Sequence, residues 1–251
     1  MSASSKNQTC DSSFAMTVPV LLYHKISKPR RDSRIRGAFT PPGRFLRQMT
    51  YLKKQGLDFY TTSELIKHFQ AEGTFPRRSV ALTFDDGWKD NYTNAFPVLR
   101  ELGIKATIFV IPTSIGQMST AATTPAGDRP YPHLSREEIL EMSRAGIEFG
   151  SHTMSHKWLN EIPDTEVKSE IESAKREIES LVQKPCWTIA YPAGYFSEAA
   201  RLAAREAGHI GAFSTIYGPT ESVDLFALNR VEILRRDRFT FQFARKVAQL
   251  R

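Results

Sequence analysis

The sequence predicts an α/β fold in which parallel strands are joined by crossover helices within a single domain. Two observations carry this expectation. Short apolar runs alternate with amphipathic runs, strand then helix, at least five times along the chain. No compositional break and no internal repeat divides the 251 residues, a length that barrels reach as one unit.

The elements follow in order. Residues 18–23 are β-rich and read as a strand. Phe45, Met49 and Leu52 recur at helical spacing, and Gly56 closes that helix. Thr61 with Glu64 is a capping-box pattern opening a short helix. Residues 79–84 form a strand, 88–102 a helix stopped by Gly103, and 105–111 the next strand. Ser135 with Glu138 is a second capping box, and its helix ends at Gly146. A short strand at 147–150 precedes a long helix capped by Asp164. Val167, Ile171, Ala174, Ile178 and Leu181 are its buried stripe. A strand at 187–191, a helix at 197–207 and a strand at 211–214 complete the pattern. Residues 116–132 have no periodicity and read as a long loop, a length that is often functional.

Composition narrows the class. A hydrophobic fraction of 41% and a charged fraction of 24% are those of a globular domain with a sizeable core. No apolar run approaches the roughly 20 residues of a membrane span, so no transmembrane segment is expected. Residues 1–16 are polar and small and read as a flexible tail before a domain at 17–251. They lack a secretory-type start, which favours a cytoplasmic protein, or a periplasmic or secreted one if a signal has been trimmed. Cys10 and Cys186 are two distant thiols, not a disulfide framework. The net charge is +7, with basic clusters at Lys28, Arg30, Arg31, Arg34 and Arg36 and at Arg235, Arg236 and Arg238. These suit a solvated surface, an anionic polymer, a membrane surface or nucleic acid. No nucleic-acid motif accompanies them, so no nucleic-acid partner is expected.

Three motifs carry chemistry. Thr83-Phe84-Asp85-Asp86-Gly87 puts two carboxylates at the end of an apolar strand, where open sheets and barrels place their active sites. Burying both charges calls for a cation such as a metal. The plain alternative is an Asp-Asp-Gly turn. His152 and His156, four apart, are expected to share one side of a helical turn just past a strand end. With one carboxylate they make the ligand set of a catalytic zinc-like site that leaves positions open for water and substrate. Cobalt, nickel or iron fit that set as well. Tyr191-Pro192-Ala193-Gly194 reads as a tight turn able to aim backbone N–H groups at an oxyanion. Trp88, Trp158, Tyr195 and Phe196 flank these motifs and are candidates for stacking on sugar rings or for packing support, Tyr195 foremost. His68 and His209 read as surface residues, and His133 as a loop histidine without a motif.

These motifs, in this order, resemble the polysaccharide deacetylase family, the carbohydrate esterases that carry a NodB homology domain. The matching positions are 83–87, His152 to His156, 190–194 and 228–233, and the resemblance runs from about residue 18 to 234. It implies a distorted (β/α) barrel with its site at the C-terminal ends of the strands. It implies a metal held by Asp86, His152 and His156, with Asp85 as base and the Ala193 N–H at the oxyanion. Pro192, Trp88 and Tyr195 become candidate substrate contacts. Two departures stand out. The family's loop arginine and aromatic are replaced by Ala190 and Ala193, and the late motif lacks its histidine acid. Leu22-Tyr23-His24 looks like the branch acting on poly-N-acetylglucosamine and related biofilm or holdfast exopolysaccharides, in which an early histidine takes the acid role. His24 is alternatively a core histidine with one buried hydrogen bond. Arg230, carried over from the late motif, either orients Asp85 or bridges the barrel.

The resulting expectation is a metal-dependent hydrolase that removes N-acetyl groups from an N-acetylglucosamine-containing polysaccharide and releases acetate. A peptidoglycan or chitin-oligomer deacetylase is the neighbouring reading. A catalytically silent polysaccharide-binding module is the reading from another class, and it has no use for the Asp-Asp and His pairs.

Overall fold

The computed structural model describes residues 19–125, 128–215, 223–237 and 240–248. Its strands are β1 (Val20–Tyr23), β2 (Asp58–Tyr60), β3 (Ser79–Phe84), β4 (Thr107–Val110), β5 (Glu148–Ser151), β6 (Thr188–Ala190), β7 (Gly211–Phe213) and β8 (Val231–Glu232). Its helices are α1 (Pro42–Lys54), α2 (Thr62–Glu72), α3 (Phe96–Glu101), α4 (Arg136–Arg144), α5 (Asp164–Val182), α6 (Glu198–Glu206) and α7 (Thr240–Ala248). Every named strand pair is parallel, in the order β7-β6-β5-β4-β3-β1-β8, with β2 added to β3. A strand covered on both faces needs an unbroken apolar run. VLLY of β1 and TIFV of β4 supply one, and all their residues are buried. The sheet curls, and a parallel bridge from Phe213 to Leu228 links the β7 edge towards the segment that enters β8. This is the distorted (β/α) barrel that the motifs imply.

The strand interiors and the helices share an apolar core in which Tyr23, Phe45 and Phe84 stack edge and face. At the N-terminal ends of the strands the filling is polar. Thr62 and Thr107 donate to Glu148 Oε1 at 2.6 and 3.0 Å, and Thr62 pairs with Thr188 at 2.8 Å. That end is satisfied internally, and the opposite rim is left to carry chemistry.

Both capping boxes form, at Thr61–Glu64 and Ser135–Glu138. Several expectations need correction. The helix read over 88–102 is a π-helical turn, Asn91–Ala95, followed by the short α3. Pro97 has no N–H to give the preceding turn. Asn91 and Asn94 instead donate side-chain hydrogen bonds to the carbonyls of His24 and Ile26, both at 2.8 Å. Asp164 is the first residue of α5, and Pro163 is its cap. His209 is buried, not on the surface. Cys186 is a buried free thiol; Cys10, the tail at 1–16 and Arg238 lie outside the described residues. No described helix is long and apolar enough to cross a membrane.

Candidate active site

The β3 strand delivers the two carboxylates. Asp85 N–H still continues the sheet, bonding Tyr23 O at 3.0 Å. The chain then turns through two left-handed residues, Asp86 at φ 71° and Gly87 at φ 65°. A Cβ at Gly87 would lie 2.9 Å from Val110 Cγ1, so glycine is required there on both counts. The turn sends Asp85 and Asp86 into one buried space.

Asp85 is clamped. Arg230 Nη1 and Nη2 donate to its two oxygens, each at 2.7 Å, and Arg230 Nε donates to Ser214 O at 3.1 Å. Burial alone would push the Asp85 carboxyl up, but the Arg230 guanidinium and the His152 ring outweigh it and hold it below its ordinary range. Arg230 is therefore a direct partner of Asp85.

Asp86 faces the histidines. Its Oδ1 lies 3.4 Å from His152 Nε2 and 3.4 Å from His156 Nε2, and all three donor atoms fall within 4.8 Å of one another. Its Oδ2 accepts from Trp88 Nε1 at 2.9 Å. His152 Nδ1–H donates to Ala190 O at 2.7 Å, which aims Nε2 at Asp86. Burial raises the Asp86 carboxyl, but the hydrogen bonds from His152 and His156 reverse this and drive it well below its usual value. Two imidazole nitrogens, each 3.4 Å from one carboxylate oxygen, suit a shared tetrahedral ion with bonds of about 2.0–2.2 Å. The donor set thus fits a divalent metal.

The two histidines do not sit on a helical turn. No helix forms between Ser151 and Asp164, and Thr153 and His156 take φ of 63° and 64°. Buried Glu170 on α5 imposes this conformation. Its carboxylate takes Ser155 N–H at 2.8 Å and Ser155 Oγ–H at 2.6 Å, and its carbonyl takes Met154 N–H at 3.0 Å. Glu170 was missed from sequence, although a glutamate beside the apolar stripe of α5 is its trace. His133 was left without a role. It is buried, donates Nδ1–H to Asp86 O at 2.8 Å and stacks on Trp88 at 4.3 Å.

The remaining candidates separate by exposure. Trp88 is 1% exposed, so it supports Asp86 and offers no face to a sugar. Pro192 is buried and shapes the turn, so it offers none either. Ala193, at φ 53°, is exposed in that turn. Tyr195 and Trp158 are 51% and 43% exposed, with ring centroids 5.5 Å apart. They form an aromatic pair on the surface close in sequence to the His156 and Gly194 turns. His24 lines a cavity of about 180 Å³ with Asp86, Lys25, Thr123, Thr124 and Tyr131. Among the described residues its buried Nδ1 has no hydrogen-bond partner, with Glu232 Oε1 3.9 Å away. Described residues of the long loop wall this cavity, as its length suggested.

Residues 72–211 match the family model described as polysaccharide deacetylase. The chain belongs to the polysaccharide deacetylase family. It is therefore a hydrolase of N-acetyl amide bonds. YxkH of Bacillus subtilis, whose name assigns it to the polysaccharide deacetylases, is 31% identical over 217 residues, 86% of this chain and 71% of its own length. The poly-β-1,6-N-acetyl-D-glucosamine N-deacetylase of Staphylococcus aureus is 25% identical over 197 residues, 71% of this chain and 65% of its own. Among solved structures, the Streptococcus pyogenes deacetylase PplD in complex with acetate superposes with a TM-score of 0.78 at 23% identity, over 94% of this chain and 99% of that one. At that identity the likeness is one of fold.

Proposed function

We propose that this polysaccharide deacetylase removes N-acetyl groups from an N-acetylglucosamine-containing polysaccharide, using one divalent transition metal, zinc by preference, held by Asp86, His152 and His156. The observation that carries the reading is the meeting of that donor set with an arginine-clamped second carboxylate. His152 Nε2 is 3.4 Å from Asp86 Oδ1 and 3.9 Å from Asp85 Oδ2.

The residues divide the work. Bound among the three ligands, a divalent ion supplies Lewis-acid polarisation of the acetamide carbonyl and makes water a stronger nucleophile. Asp85, held ionised by Arg230, takes the proton that the attacking water loses. The Ala193 N–H donates to the oxygen of the tetrahedral adduct. His24, which lines one cavity with Asp86, gives its ring proton to the leaving sugar nitrogen as the C–N bond breaks. The products are acetate and an amino sugar. Tyr195, with Trp158 beside it, offers the stacking surface for a sugar ring. The S. aureus relative, named for poly-β-1,6-N-acetyl-D-glucosamine, supports an exopolysaccharide over peptidoglycan or chitin as the natural polymer.

The test is acetate release from β-1,6-linked and β-1,4-linked N-acetylglucosamine oligomers, with metal content measured on the same preparation. Release that stops with a chelator and returns with zinc is the expected result. Glycan binding without release, unaffected by chelator, would establish a silent binding module instead.

A further inference from the structure

Lys25 is a buried ammonium that the reaction does not use. It is 7% exposed, and its Nζ lies 3.3 Å from the ring centroid of Trp88, 5.2 Å from that of Tyr131 and 5.3 Å from that of Phe39. Among the described residues no carboxylate pairs with it and no acceptor takes its protons; Asp86, Asp90 and Asp128 act on it only at a distance. Burial lowers the amine to about 8. Aromatic faces can hold a cation, but they do not replace hydrogen-bond acceptors, so a ligand oxygen in the cavity beside Nζ would give it partners that the described residues do not.

Lys25 also divides two cavities. One is the space with His24 and Asp86. The other, about 300 Å³, is lined by Lys25, Ser27, Lys28, Arg30, Lys89 and Asp90 among others. Lys25 and Tyr131 belong to both. The second cavity is cationic. Arg30 is braced over the Tyr131 ring at 4.2 Å and bonds the carbonyls of Arg129 and Pro130, so its guanidinium is already positioned. Lys28 is exposed and has no ion pair among the described residues. Glu138 neutralises one cation of the lining and Asp90 opposes a second, which leaves a positive excess. Lys89 is taken by Glu138 at 2.8 Å, and the Asp90 carboxylate accepts from Ile26 N–H at 3.0 Å and Ser27 Oγ–H at 2.6 Å.

We propose that this second cavity is a subsite for an anionic substituent, a carboxylate or a phosphate, on the sugar next to the one whose acetamide reaches Asp85 and Asp86. Lys25 donates to it from the shared wall, and Arg30 and Lys28 face it from the rim. The proposal rests on the deacetylase reading and adds a preference in substrate. It gives Lys28 and Arg30 of the basic loop a purpose beyond solvation.

The experiment compares three substrates on the metal-loaded protein: a neutral N-acetylglucosamine tetramer, an oligomer alternating N-acetylglucosamine with glucuronate, and an N-acetylglucosamine oligomer ending in a phosphate. At least one anionic substrate should be favoured about tenfold in kcat/KM, mainly through KM. High salt should erase most of that preference. Whichever arm shows it identifies carboxylate or phosphate. Lys28→Ser, on an exposed side chain that cannot unfold the core, should reduce the preference. Lys25→Met, which keeps the aliphatic stem among the aromatic rings, should remove it. Equal turnover of neutral and anionic substrates by the wild type would overturn the proposal, as would an equal loss on all three in both variants. Calorimetric binding of the glucuronate and phosphate oligomers to Asp85→Asn protein separates the two readings. Binding that depends on Lys28, without acetate release by the wild type, would keep the subsite and sink the deacetylase reading. Absence of binding alongside normal acetate release would do the reverse.

Discussion

Arg230 grips Asp85 with both arms of its guanidinium, two hydrogen bonds of 2.7 Å in a space where the arginine is 1% and the aspartate 2% exposed. The pair joins residues 145 positions apart. Removing one partner strands a buried charge, whereas removing both does not. Arg230→Met should cost about 3–5 kcal/mol in denaturant unfolding. The double variant Asp85→Asn with Arg230→Met should recover much of that loss, and a double-mutant cycle measures how much. Asp85→Asn alone should lower turnover about 10²–10⁴-fold while metal content stays unchanged. Near-normal turnover with bound metal would remove Asp85 from the role of base.

Trp88 makes the contrast between support and platform measurable. Its Nε1–H holds Asp86 Oδ2 while Oδ1 faces the histidines. Groups that orient a metal ligand typically affect metal affinity about 10–100-fold. Trp88→Phe keeps the ring and removes the donor, so metal affinity should fall by about that factor with KM little changed. A rise in KM at full metal occupancy would instead make Trp88 a sugar contact.

For Tyr195 the expectation is inverted. The ring is half exposed against Trp158, so Tyr195→Ala should change stability by no more than about 0.5 kcal/mol. Its effect should appear as a higher KM for oligomers and little change for a monosaccharide substrate. An unchanged KM across chain lengths would remove the pair from the substrate path.

The sequence made the strands and the chemistry legible to different depths. β1, β3 and β4 were readable because strands buried on both faces must be continuously apolar. The two capping boxes were readable because reciprocal side-chain bonds need fixed residue types at a fixed spacing. β2 and β8, three and two residues long, carry too little pattern to stand out. The cluster of Asp86, His152 and His156 was legible in identity but not in geometry. The left-handed backbone at Thr153 and His156 depends on Glu170, a contact that no local period encodes. The same holds for His133, whose bond to Asp86 O spans 47 positions. Trp88 was ambiguous because an aromatic beside a motif reads alike as platform or as packing, and only its burial decides.

The last prediction concerns stability away from the site. His209 is 4% exposed, and burial, with Lys175 nearby, lowers its pKa to about 3 from the ordinary 6.5. The folded state therefore keeps this ring neutral where the unfolded chain protonates it. Between about pH 6.5 and pH 3 the unfolded state binds the extra proton, so stability falls as pH falls. The full contribution is present above about pH 6.5, and each unit below it costs up to about 1.4 kcal/mol from this group. His209→Gln gives up the titration but keeps a polar side chain of similar size. Urea unfolding at pH 7 and pH 5 should show a clearly steeper loss in the wild type than in His209→Gln. Parallel losses in the two proteins would show that the ring is protonated in the folded state or open to water.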